Sequence, residues 1–112
     1  MTLSTHVLDA TTGQPAAGVH VRLERARDDG WVPAGEGETG PDGRLRLPGD
    51  SGSPAAAGVY RITFGSGAYF RARGAATFYP EVTVTFEMTG RDEHYHVPLL
   101  LSPFAYSTYR GS

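Results

Sequence analysis

Period-two alternation of hydrophobic and polar residues dominates this chain. In "GVHVRLERA", Val19, Val21 and Leu23 face one way while His20, Arg22 and Glu24 face the other, the signature of a half-buried strand. "GVYRITF" puts Tyr60, Ile62 and Phe64 on one face against Arg61 and Thr63. "EVTVTFEM" is the cleanest case, with Val82, Val84, Phe86 and Met88 alternating with Thr83, Thr85 and Glu87. "LSTHVLD" and "HYHVPLLL" predict two further short strands. Pro98 in the second cannot donate a ladder hydrogen bond, so an edge, a bulge or a strand end is expected there.

Turn chemistry separates these runs: "TTGQPAAG", "ARDDG", "TGPDGR" and "PGDSGSPAAAG". In "PDGR", Pro41 pre-sets its backbone angle, Asp42 caps locally, Gly43 takes a positive angle and Arg44 starts the next strand. The one helical piece is "SGAYFRARGAA", where Tyr69 and Arg73 are four residues apart and Gly74 ends the helix. Seven or eight short strands in this length predict an all-β, two-sheet antiparallel sandwich with one short helix. Residues 1–112 read as one domain, since no repeat or low-complexity linker interrupts them.

Composition narrows the chemistry. The 112 residues carry no cysteine, which excludes a disulfide scaffold, a thiol nucleophile and sulfur-ligated zinc. Four histidines occur in no H-x-x-x-H or H-E-x-x-H spacing, so no metal site is expected. The net charge of -2 offers no general attraction to nucleic acid. All ten basic residues are arginine, which removes any Schiff-base lysine. "MTLSTHVLD" does not resemble a signal peptide, and no apolar run reaches membrane-spanning length. A cytoplasmic protein is expected, although a chain trimmed of its leader would read the same.

Candidate functional residues lie near the two ends of the sequence and just after the "PDG" turn. His94 and His96 share a strand face opposite Tyr95 and Val97, so one half of "HYHV" can line a polar pocket while the other packs inside. His6 shares a face with Ser4 and Leu8. An imidazole titrates near working pH and can act as a general base; His20, alternating with Arg22 and Glu24, reads as an ordinary surface residue. In "RLRL", Arg44 and Arg46 lie opposite Leu45 and Leu47. Either could form a rim ion pair or present its donor fork to a planar carbonyl or carboxylate. "YSTYRGS" alternates Tyr106, Thr108 and Arg110 with Ser107, Tyr109 and Gly111 and could run as another strand. Patterning alone leaves open whether this tail packs, forms an interface or contributes a phenol, a guanidinium and a hydroxyl to a site.

Across essentially its whole length the chain resembles the 5-hydroxyisourate hydrolases, enzymatic relatives of the hormone carrier transthyretin. The resemblance is carried by "LSTHVLDATTGQPAAGVHVRL", "TGPDGR", "GVYRITF", "FYPEVTVTF" and "HYHVPLLLSPFAYSTYRGS". The final "YRGS" is the most specific piece, because the hydrolases carry it and the carriers do not. One departure is Gly40, where the family commonly has Asn in "TNxDGR". Glycine supports the same turn, but a side-chain hydrogen bond that orders the loop is expected to be lost.

The resemblance implies a transthyretin-like sandwich of about eight strands, assembled as a homotetramer, a dimer of dimers with a central channel. It implies hydrolysis of 5-hydroxyisourate to 2-oxo-4-hydroxy-4-carboxy-5-ureidoimidazoline, with no redox step and no cofactor. Transferred by position, the matching residues are His6, Arg44, His96, Tyr109, Arg110, Gly111 and Ser112. His6 and His96 would orient and deprotonate water, with the choice of base open. Arg44 would hold a carbonyl and stabilise charge on oxygen, Tyr109 and Ser112 would position substrate or relay a proton, and Arg110 would brace the tail. His94 is a candidate for a supporting role. The alternative is a non-enzymatic small-molecule carrier that uses the same channel.

Overall fold

The structure, a computed structural model, describes residues 1–47 and 56–112; most of the "PGDSGSPAAAG" turn stretch lies outside them. Among the described residues nine strands and one helix follow in chain order: β1 (Thr2–Asp9), β2 (Gln14–Pro15), β3 (His20–Arg27), β4 (Gly30–Glu38), β5 (Arg44–Leu47), β6 (Gly58–Phe64), α1 (Ser66–Arg71), β7 (Val82–Met88), β8 (His94–Ser102) and β9 (Ala105–Thr108). They form the two-sheet sandwich expected from the alternation. In one sheet β2 and β5 both pair with β1, which is followed by β8 and β9; the other runs β4, β3, β6, β7.

One pairing departs from the antiparallel expectation. β1 and β8 run parallel over eight residue pairs, from Thr2 opposite His94 to Asp9 opposite Leu101. This contact seats Ser4 beside His96 and His6 beside Pro98. Its register is pinned from inside the core, where the buried Thr5 Oγ1 donates to the Val97 carbonyl at 2.6 Å.

The alternation read from sequence places the inner faces. Leu3 and Val7 of β1, Val21 and Leu23 of β3, Tyr60, Ile62 and Phe64 of β6, and Tyr95, Val97, Leu99 and Leu101 of β8 all lie in one buried cluster. Helix α1 packs on it through Tyr69 and Phe70. The Tyr69 hydroxyl donates to buried Asp9 at 2.9 Å, and the Arg73 guanidinium lies 3.7 Å from the Tyr69 ring centre, as the four-residue spacing predicts. Gly74, with φ of 71°, follows the helix. Among the described residues no helix is long and apolar enough to cross a membrane.

β4 carries no alternation in its sequence and is absent from the sequence reading. Its "GWVPAGEGE" pairs with β3 at a sheet edge, with a register shift at Leu23/Glu24 close to Pro33. Pro98 also differs from expectation, lying mid-strand rather than at an edge or end. Its carbonyl accepts from Thr108 Oγ1 at 2.7 Å, so its missing donor faces the C-terminal segment. There β9 has already ended, and the break in that ladder removes the need for a Pro98 N–H.

Candidate active site

Three strands and the tail bring the candidates together. β5 begins from the turn at residues 40–43, closed by Gly43 N–H donating to the Gly40 carbonyl at 2.8 Å. Gly43 has φ of 77°, and a Cβ there would collide with the Val7 carbonyl oxygen, so both conformation and space require glycine. Asp42 Oδ1 accepts from Arg44 N–H at 3.0 Å. The Asp42 carboxylate thus orders the loop that carries Gly40.

From this turn Arg44 pairs with His6 across the antiparallel β1–β5 ladder, while β8 brings His96 to the other flank of β1 opposite Ser4. A polar cavity of about 250 Å³ opens on this face, lined by Ser4, Arg44, Arg46, His94, His96 and Ser112 among others. Both arginines of "RLRL" reach it, and neither forms an ion pair among the described residues. His6 is half-buried on the same β1 face, two residues from Ser4 and outside the cavity lining. Its Nε2 donates to the Asp42 carbonyl at 3.0 Å, which ties the histidine to the arginine's turn.

His96 is also half-buried. Burial, and next the positive charge of Arg44, hold its pKa below the ordinary 6.5. It therefore stays a neutral base to lower pH than a free imidazole. His20 lies on the other sheet and pairs with Glu36 at the surface, as its alternation suggests.

The tail is not a continuous strand. β9 pairs with β8 as far as Thr108 opposite Leu99; Tyr109 and Arg110 leave the ladder, and Gly111 rejoins it by donating to the His96 carbonyl at 2.9 Å. A Cβ at Gly111 would lie 2.5 Å from His96 Cδ2 and 3.1 Å from Pro98 Cγ. Only a glycine lets the backbone lie against the imidazole and deliver Ser112 to the cavity. Arg110 pairs with Asp92 at 2.8 Å and stacks 4.8 Å from the Tyr95 ring centre, which fastens the tail. Tyr109 and Arg110 line a separate, largely apolar cavity of about 300 Å³ with Val84, Phe86, Tyr95 and Val97, and among the described residues only His96 borders both.

Ser4 and Asp42 are the contributors that sequence reasoning did not assign to the site. The period-two rule puts Ser4 on the face of His6, but nothing in the pattern reveals that β8 lies beside β1.

The family model described as HIUase/Transthyretin matches residues 3–111. The 5-hydroxyisourate hydrolase of Salmonella typhimurium is 49% identical over 110 residues, covering 98% of this chain and 80% of that protein. The structure of Klebsiella pneumoniae 5-hydroxyisourate hydrolase aligns over all of both chains with a TM-score of 0.83 at 37% identity. Transthyretin from Sparus aurata aligns with a TM-score of 0.89 at 32% identity, over 97% of this chain and 95% of that one.

Proposed function

This chain belongs to the HIUase/transthyretin family, and on that premise we propose how its site works as a 5-hydroxyisourate hydrolase. Residues 1–112 act as one transthyretin-like unit. The substrate is 5-hydroxyisourate and the product 2-oxo-4-hydroxy-4-carboxy-5-ureidoimidazoline. The observation that carries the mechanism is a half-buried imidazole of lowered pKa sharing a polar cavity with an arginine that lacks an ion pair among the described residues.

His96 is the general base. It takes a proton from water as the water oxygen attacks a ring carbonyl of the substrate. The charge that develops on the carbonyl oxygen is met by the Arg44 guanidinium, whose fixed donor fork suits that oxygen. As the tetrahedral intermediate collapses, the ring C–N bond breaks and the leaving nitrogen takes the proton back from the His96 imidazolium. Water is consumed and the base is restored.

His6 spends its Nε2 on Asp42, which favours a role in orienting substrate and Arg44 rather than removing the proton. Ser112 lines the cavity and is assigned to holding substrate. Arg110 and Gly111 serve by fixing the tail against β8 and the His96 ring. Tyr109, 58% exposed, is available to substrate at a channel mouth shared between copies in a homotetramer, a dimer of dimers.

The test is the decay of freshly generated 5-hydroxyisourate with the parent protein and with His96→Asn. The variant is expected to lose about 10²- to 10⁴-fold in kcat, the usual weight of a positioned base. Near-parental turnover would remove His96 from this role.

A further inference from the structure

Thr2, Ser4, His94 and His96 stand on one face of the two parallel strands, Thr2 opposite His94 and Ser4 opposite His96. Their polar atoms form an unbroken line. Ser4 Oγ lies 2.8 Å from His96 Nδ1 and 3.0 Å from His94 Nε2. Thr2 Oγ1 lies 2.5 Å from His94 Nδ1 and 3.4 Å from the Glu93 carbonyl oxygen.

The Glu93 carbonyl, which also accepts from the Thr2 backbone N–H at 2.7 Å, favours one direction along the line. A carbonyl only accepts and a hydroxyl has one proton, so a Thr2 hydroxyl that gives its proton to Glu93 accepts from His94 Nδ1–H. A neutral His94 protonated at Nδ1 has a bare Nε2, which accepts the Ser4 proton. The Ser4 oxygen then accepts from His96 Nδ1–H. His96 Nε2 is left as a lone pair.

We propose that Ser4 is a positioning residue which, through His94 and Thr2, locks His96 in the Nδ1–H tautomer and so keeps Nε2 ready as the base. The proposal rests on the reading of His96 as that base. An imidazole without this partner exchanges between two tautomers, only one of which can take a proton at Nε2. The line also couples the two histidines. A proton arriving on His94 Nε2 turns that atom into a donor toward Ser4, and the Ser4 hydroxyl must then rotate to donate to His96 Nδ1. That reversal imposes the wrong tautomer. His94 also borders a second surface cavity with Asp92, Glu93 and Arg110, while His96 shares the polar cavity with Arg44 and Arg46.

The experiment is long-range ¹H–¹⁵N correlation of the histidine rings at pH 8, without substrate, for the parent, Ser4→Ala and Ser4→Thr. The parent should show His96 protonated at Nδ1. Ser4→Ala should lose that tautomer and drop about 10- to 100-fold in kcat with KM nearly unchanged, the scale of removing a partner that orients an imidazole. Ser4→Thr keeps the hydroxyl and should restore both readouts. A parental His96 protonated at Nε2 overturns the proposal, as does a Ser4→Ala variant whose kcat stays within about twofold of the parent. Should Ser4→Ala not fold, the parental tautomer and the Ser4→Thr kinetics decide. Absence of hydroxyisourate turnover in the parent would count against the enzymatic mechanism, whereas the tautomer measurement needs no turnover.

Discussion

In the proposed mechanism Arg44 acts on His96 in two ways with opposite experimental signatures. It stabilises charge in the transition state, and its own charge disfavours the imidazolium. Replacing it with Gln should therefore cost about 10²- to 10³-fold in kcat, as removal of an oxyanion donor does. It should also move the acid limb of kcat/KM to higher pH, because a neighbour that repels the added proton is gone. The limb should approach but not reach 6.5, since burial, the larger cause of the lowered pKa, remains. A profile measured from pH 4 to 8 on both proteins checks this, and an unmoved limb would mean that another group titrates. At the same scale, Gly111→Ala forces a methyl group into the His96 ring. A loss of roughly 100-fold in kcat with an unchanged melting temperature is expected, since displacement of a reacting group by about 1 Å has that effect.

The tail and β8 form one working element. Removing residues 109–112 should abolish turnover while the sandwich stays folded, because the core lies entirely upstream. Circular dichroism with the decay assay measures both, and parental activity in the shortened chain would refute this account of the tail. At this scale the sequence was informative wherever one face of a strand is buried. β1, β3, β6, β7 and β8 announce themselves by alternation, and "HYHV" already separates a core face from a cavity face. β4 escapes because an edge strand of "GWVPAGEGE", with most residues exposed or half-exposed, imposes no alternation. The neighbour relation of β1 and β8 escapes for a different reason. Alternation fixes which side chains share a face, but not which strand lies alongside, so His6, Arg44 and His96 became site candidates through the resemblance while Ser4 did not.

The whole molecule leaves two strand edges on one flank. Among the described residues β7 pairs only with β6, and β9 only with β8. Such edges invite pairing with another chain. Large aromatics are also uncovered nearby: Phe78 is 71% and Phe104 68% exposed, on segments joined by Phe78 N–H donating to the Pro103 carbonyl. These features support the proposed homotetramer. Sedimentation should give a particle of four chains, and Phe104→Asp should lower that mass without loss of strand content. A parent that sediments as a single chain at full activity would disprove the shared channel mouth.

The parallel pairing of β1 with β8 also constrains how a cell makes this molecule. The ribosome releases Thr2–Asp9 well before their central neighbour, which is built from residues 94–102. At synthesis rates of about 5–20 residues per second, that neighbour follows by roughly 5 to 20 seconds. Through that interval the nascent β1 has one flank open, held only by what β2 and β5 offer on the other. Arg44 and His6 can meet early, but His96 and then Ser112 arrive much later, so a chain stalled before them carries half a site and an unclosed sheet.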